Sequence, residues 1–370
     1  MTKLVSTLFK FANIFVVALY VLACLIPFLP AGKFWMIAVL GLIFPILFFL
    51  VTGFMIVWMV ARSKWFLLSM VAILLSWKQL SVVVGLNPGK EFNLAKNGNT
   101  LRVLSWNVSS WGQSTKSPRN ISNPGKLMIN LIKDQQADIL CFQEFYDLDW
   151  NKTRNSRIQT FKEMGYPYSY FVNTERNGSK YHIGVAVLSK YPIIDTAKFI
   201  YGENDLAEHL IYADIKYHDQ VVRVFTTHLQ SVQFHDEQYA SIRSIRNPEE
   251  ARLTGSRTII SKLKYAYQYR GSQAEMLRQK IQESPYPAIV CGDFNDVPNS
   301  YTYFQVRGDL QDAFLAKGNS LGRTFRFLSP TLRIDYILAD KKLVVEQFNR
   351  VISIFSDHYP VVADLNMKSL

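Results

Sequence analysis

The sequence predicts an α/β fold, two packed sheets flanked by helices, carried behind about three apolar membrane-spanning helices. Three observations predict it. The first 86 residues hold six basic residues and no acidic one, and Phe34 to Val60 runs without a charge. After residue 100, apolar and β-branched runs of strand length alternate with a few helix-like stretches. Polar and charged residues then recur at the C-terminal ends of those runs.

The chain has 370 residues, 49% of them apolar and 19% charged. That composition excludes a disordered or fibrous chain. The net charge of +12 divides evenly. Residues 1–86 carry +6, and residues 87–370 carry 35 basic against 29 acidic groups, again +6. The second part is therefore only mildly basic, a weak argument for nucleic-acid binding. Three cysteines (Cys24, Cys141, Cys291) exclude a disulfide scaffold, and no zinc-ligand spacing is present.

Residues 1–86 read as a transmembrane region with spans of about 8–29, 34–60 and 65–86. The middle run is long enough to cross a hydrocarbon core of about 30 Å. Lys10 and Asn13 weaken the start of the first, and Lys78 and Gln79 fall inside the third. Lys3, Lys10, Arg62 and Lys64 flank the spans on one side, with Lys33 alone on the other. The positive-inside rule puts the N-terminus and the 61–64 loop in the cytoplasm. Three crossings then make the domain that follows extracytoplasmic; an interfacial third segment would leave it in the cytoplasm. Residues 87–99 read as a polar linker and 100–370 as the catalytic domain.

Within that domain, Leu101–Val108 and Ala137–Glu144 are strand-like. Pro124–Gln136 between them has helical spacing, with Asn123 as its cap. Tyr168–Asn173, Ile183–Ser189, His209–Tyr217 and Val221–His228 follow as strands. A helical stretch over 249–283 should bend near Gly271. Ala288–Asn295, a short helical stretch, Arg333–Ala339, Val344–Ile354 and Val361–Leu365 complete the pattern.

The chemistry sits at the strand ends: Asn107, Glu144, His228, Asp293 and Asn295, Asp335, and the pair Asp357–His358. One such residue is explained by a turn or a cap; this many on six segments are not. Carboxylates and asparagines are hard oxygen ligands, suited to Mg²⁺ or Mn²⁺. Histidines move protons near neutral pH. Together they suit metal-assisted hydrolysis of a phosphate ester.

The ordered segments SWN, FQE, GVAVLSKYPI, TTHL, GDFNDVP, RIDYIL and SDHYPV resemble the endonuclease/exonuclease/phosphatase superfamily, the deoxyribonuclease I-like fold. The resemblance covers roughly residues 100–366. It implies that Glu144 is the principal Mg²⁺ ligand, with Asn107 beside it and Asp357 supporting the metal side. It implies that Asp293 orients or deprotonates water, that Asn295 holds that Asp or a phosphate oxygen, and that Asp335 pairs with His358. His228 would contact the phosphate or protonate the leaving oxygen; which histidine is acid and which is base stays open. One departure matters: Tyr181, His182 and Ile183 stand where deoxyribonuclease I has an acid supporting the first histidine. Arg270, Arg323 and Arg333 are candidate substrate contacts. Arg270 lies in a long connection that also carries Arg243, Arg246, Arg252, Arg257, Lys262 and Lys264, with Tyr265, Tyr267 and Tyr269 interleaved.

The expected protein is a membrane-anchored phosphoesterase acting on a mono- or diester, with a lipid headgroup favoured by the tether. A membrane-anchored nuclease of the same fold is the alternative, and a non-catalytic membrane binding protein a more distant one.

Overall fold

A computed structural model describes residues 3–88, 91–96, 99–112, 122–147, 156–174, 182–202, 209–232, 254–327 and 329–367. The N-terminal helices that matter here are α1 (Lys3–Leu25), α2 (Phe44–Val60), α3 (Phe66–Leu75) and α4 (Trp77–Val83). A 3-10 segment, Val39–Ile43, leads into α2. The strands that follow are β1 (Thr100–Asn107), β2 (Ile139–Asp147), β3 (Tyr168–Thr174), β4 (His182–Ser189), β5 (Ile193–Phe199), β6 (Leu210–Tyr217) and β7 (Gln220–His228). Then come β8 (Ala288–Asp293), β9 (Gln311–Asp312), β10 (Asp335–Ala339), β11 (Leu343–Arg350) and β12 (Val361–Met367). The helices among them are α5 (Pro124–Gln135), α6 (Arg157–Glu163), α7 (Thr254–Gln282), α8 (Tyr301–Arg307) and α9 (Ala313–Lys317).

The strands form two six-stranded sheets, ordered β9-β10-β8-β7-β6-β5 and β11-β12-β1-β2-β4-β3. Their strands pair antiparallel except for β1 with β2 and β7 with β8. Alternation along each strand sorts the side chains by face. Val103, Cys141, Val224, Ile289, Cys291, Ile337 and Ala363 meet between the sheets. Their neighbours Leu104, Leu140 and Phe142 instead pack under α5 and α6, with Met128, Ile132 and Phe161. Phe225, Val290 and Tyr336 face the other way and share one apolar cluster with Leu277 of α7 and Tyr303 of α8.

That last cluster continues into the N-terminal helices through Tyr20, Ile26, Phe44, Leu47 and Val83. The end of α1, the start of α2 and the end of α4 therefore all sit against the sandwich. The 3-10 segment comes so close that a side chain at Gly41 would meet the Asn299 carbonyl at 2.7 Å. The Asn299 amide donates to the Ala23 carbonyl (3.0 Å), and Gln79 donates to that of Cys24 (2.7 Å). Arg333 completes the seam. It donates to the Val82 carbonyl (2.7 Å) and ion-pairs with buried Asp312 at 2.6 Å.

Several expectations change. The first span starts earlier, and its Asn13 is buried against Ser69 of α3, which donates to it at 3.0 Å. Leu4–Phe28 and Leu40–Val60 are each long and apolar enough to cross a membrane. Residues 65–86 hold a bent pair, α3 and α4 meeting at 65°, which makes a third candidate span if the pair crosses as one. Ser76 sits at the bend, its hydroxyl turned onto the Ile73 carbonyl and against the Tyr20 hydroxyl. α7 runs unbroken past Gly271, which packs on Ala31 and Gly32. β11 stops at Arg350, short of Ile354, and β5 and α6 had no counterpart in the sequence reading.

Arg333→Met tests the seam. It leaves the Asp312 carboxylate buried without its cation, so denaturant unfolding of the full chain should lose about 3–5 kcal/mol. Wild-type stability would show that Arg333 does not join the two parts.

Candidate active site

The alternation that fills the sandwich also delivers the polar residues to its mouth. On β8 the inward series is Ile289, Cys291, Asp293. On β7 it is Val222, Val224, Thr226, His228, and on β1 it ends at Asn107. β7 and β8 pair His228 with Asp293, and β8 and β10 pair Asp293 with Asp335. Three reactive side chains thus stand on adjacent strands in one row. Gly292 makes the approach possible, since a Cβ there would lie 2.2 Å from the Thr227 carbonyl oxygen.

Asp293 is buried and is the hub. Its Oδ1 accepts the Asn295 N–H (2.8 Å), and its Oδ2 accepts the Asn107 amide (3.1 Å). The Nε2 atoms of His228 and His358 both lie 3.6 Å from Oδ2. Burial raises the Asp293 carboxyl to about 6; the histidine charges oppose that rise and the Asp335 charge adds to it. The other ring nitrogen of His358, Nδ1, faces both oxygens of Asp335, at 3.1 and 3.0 Å. Burial pulls the His358 pKa down, but the Asp335 and Asp293 charges outweigh it and the net shift is upward, to about 10. The two carboxylates thus favour the charged form of His358. Its backbone is fixed as well: the Trp106 indole N–H donates to its carbonyl, and its N–H donates to the Ser356 hydroxyl.

Glu144 reaches the mouth by a different route. Strict alternation from Ile139 and Cys141 would turn it outward with Leu140 and Phe142. The β2–β4 register shifts between Phe142 and Phe145, and Glu144 takes a left-handed φ of 48°. This bulge re-aims its carboxylate. Asn107 donates to Glu144 Oε1 at 3.3 Å, while its own Oδ1 accepts the Ser109 N–H.

Glu144, His228, Asp293, Asn295, Asp357 and His358 all line one cavity of about 480 Å³. Arg270 also lines it, although its guanidinium is engaged by the Asn295 carbonyl and lies 3.8 Å from Asp296. Arg323 and Arg333 do not line it. Arg323 turns to the Tyr359 hydroxyl at 3.5 Å, and Arg333 is held in the seam. Arg243, Arg246 and Arg252 lie outside the described residues, as do the side chains of His182 and Arg257. Four contributions had no sequence signal: the Glu144 bulge, Gln143 bonding Thr226 across the sheets (2.9 Å), the Thr324 hydroxyl capping the Asp335 N–H (3.1 Å), and the cavity-lining Leu42, Ile43 and Ile46. A left-handed residue inside a strand is invisible to pattern reading.

Among the described residues one group has the spacing a metal needs. Asp293, Asp335 and His358 bring one ligand atom each within 4.8 Å of one another. In this group His358 faces Asp335 through Nδ1 and Asp293 through Nε2. Glu144 and Asp357 add two more carboxylates to the same cavity, with the Asn107 amide against Glu144, and are hard oxygen donors of the kind a divalent cation takes.

A family model described as the endonuclease/exonuclease/phosphatase family matches residues 104–358, more than half of the chain, and the chain belongs to that family. It is thus a hydrolase of phosphate ester bonds. A second family model, a domain of unknown function, covers residues 6–83. Sphingomyelinase C from Bacillus cereus is 24% identical over 314 residues, 73% of this chain and 90% of that protein. The catalytic domain of human Nocturnin has a similar fold, with a TM-score of 0.51 at 19% identity over 72% of this chain and 94% of that one. An endonuclease/exonuclease/phosphatase from Beutenbergia cavernae gives 0.51 at 19%, over 73% and 72%.

Proposed function

We propose that the chain is a membrane-anchored, Mg²⁺- or Mn²⁺-dependent phosphoesterase that hydrolyses a mono- or diester of a lipid headgroup outside the cytoplasm. One observation carries the reading. The Asp293 hub with its two histidines opens into the same cavity as the carboxylates of Glu144 and Asp357. The lipid part is supported by the relation to a sphingomyelinase and by the two apolar helices seated against the domain.

Glu144 and Asp357 would hold the metal, with Asn107 steadying Glu144. When bound, it neutralises charge on phosphoryl oxygens and eases departure of the leaving group. Asp293 orients the attacking water and takes its proton as the new phosphorus–oxygen bond forms. Asn107 and the Asn295 N–H hold that carboxylate in place. His358, held against Asp335 through Nδ1, binds a phosphoryl oxygen through Nε2–H. His228, also facing Asp293, gives a proton to the leaving oxygen as the ester bond breaks.

The side of the membrane follows from charge and seating. The ends of α1 and α4 and the start of α2 all meet the domain. Arg62 and Lys64 lie at the opposite turn, where Lys10 stands over Trp65. Positive-inside orientation then puts the domain outside. A reporter active only outside the cytoplasm, fused after Leu370, should be active; a silent fusion paired with an active cytoplasmic reporter there would reverse the orientation.

The direct assay gives the full chain sphingomyelin, phosphoinositides, duplex DNA and RNA with Mg²⁺, with and without EDTA. A lipid should be cleaved, and EDTA or Glu144→Gln should each remove at least 100-fold of the rate. In the same assay His358→Ala and Asp335→Asn should each lower kcat/KM strongly, and the double variant should fall little further. Activity that survives EDTA and Glu144→Gln contradicts the metal assignment, and additive losses contradict the His358–Asp335 unit.

A further inference from the structure

The catalytic cavity is not built by the sandwich alone. Leu42, Ile43 and Ile46, from the 3-10 segment and the first turn of α2, form part of its lining. These residues belong to one of the two helices that are long and apolar enough to span a membrane. Leu263 and Tyr267 of α7, one helical turn apart, also line the cavity, as does Leu332. The carboxylates and histidines thus share one cavity with aliphatic side chains.

The aliphatic lining continues out of the cavity. Ile43, Ile46, Phe49 and Leu50 recur at helical spacing along one face of α2. They are 39%, 57%, 69% and 47% exposed. Beyond them Gly53 has nothing within 4 Å of where its Cβ would lie, and Val57 and Val60 are exposed again. In water such a stripe would be costly. On a spanning helix it faces acyl chains, and it leads without a break into the catalytic cavity.

We infer that Leu42, Ile43 and Ile46 seat the first methylenes of a lipid's aliphatic chain while its phosphate lies at Asp293 and His358. The inference rests on the phosphoesterase reading above and adds the substrate's apolar part and the residues that select it. It makes the N-terminal region a wall of the active site rather than only a tether. A chain lying along α2 stays in the bilayer as its headgroup enters the cavity, so the lipid need not leave the membrane.

The test compares two probes on the full chain in mixed micelles: long-chain sphingomyelin and the water-soluble diester bis(p-nitrophenyl) phosphate. The readout is the ratio of kcat/KM for lipid over soluble diester. Ile43→Ser/Ile46→Ser should lower that ratio at least tenfold. Ile46→Leu, which keeps an aliphatic wall, should hold it within about twofold. Leu74→Ser, an exposed apolar position on α3 outside the cavity, should leave the ratio unchanged. An unchanged ratio in the double variant overturns the inference, as does an equal fall on both probes. If the wild type cleaves the soluble diester but no lipid, the wall assignment fails while the phosphoesterase reading stands. If it cleaves neither, both fail.

Discussion

The site depends on a single buried carboxylate. Asp293 ends the inward series of β8, and a charge in that position requires partners on every side. Asn107 arrives from the opposite sheet, the Asn295 N–H from the following turn, His228 from the parallel neighbour, and His358 from the loop before β12. These partners come together because both sheets end at the same mouth. The paired registers His228–Asp293 and Asp335–Asp293 are thus as much a part of this arrangement as the side chains. The approach of β8 to β7 in turn requires a residue without a side chain at position 292.

A second constraint couples the sandwich to the apolar helices. The loop that follows Asp293 is also the loop that touches them: Asn299 bonds the end of α1, and its carbonyl packs against Gly41. Arg333, two residues before Asp335, bonds the end of α4. The loops at the candidate site and the apolar helices are therefore held in one arrangement. A simple tether would need no such contacts and would leave the cavity to the sandwich alone.

Much of this was legible in the sequence, for a physical reason. The strand-like runs and their polar ends mark β1, β7, β8 and β10 and single out Asn107, His228, Asp293 and Asp335. The cap Asn123 and Pro124 mark the start of α5, where the Asn123 side chain accepts the Lys126 N–H. What was not legible breaks the period or joins distant segments. Glu144 has the wrong parity for the mouth and reaches it only through a bulge. The bend at Ser76 sits inside a run that reads as one span. Arg333 looked like a phosphate contact because it precedes Asp335, yet its partners Asp312 and Val82 come from other parts of the chain. Leu42, Ile43 and Ile46 looked like any apolar helix start, because a role at the cavity depends on tertiary seating.

The central claim is that substrate reaches the site from within the bilayer that holds the helices. Surface-dilution kinetics tests it most directly. The full chain is placed in mixed micelles in which a neutral detergent dilutes sphingomyelin at constant bulk concentration. The account predicts that the rate falls with the surface mole fraction of the lipid. A rate that follows bulk concentration alone, indifferent to surface dilution, would contradict it.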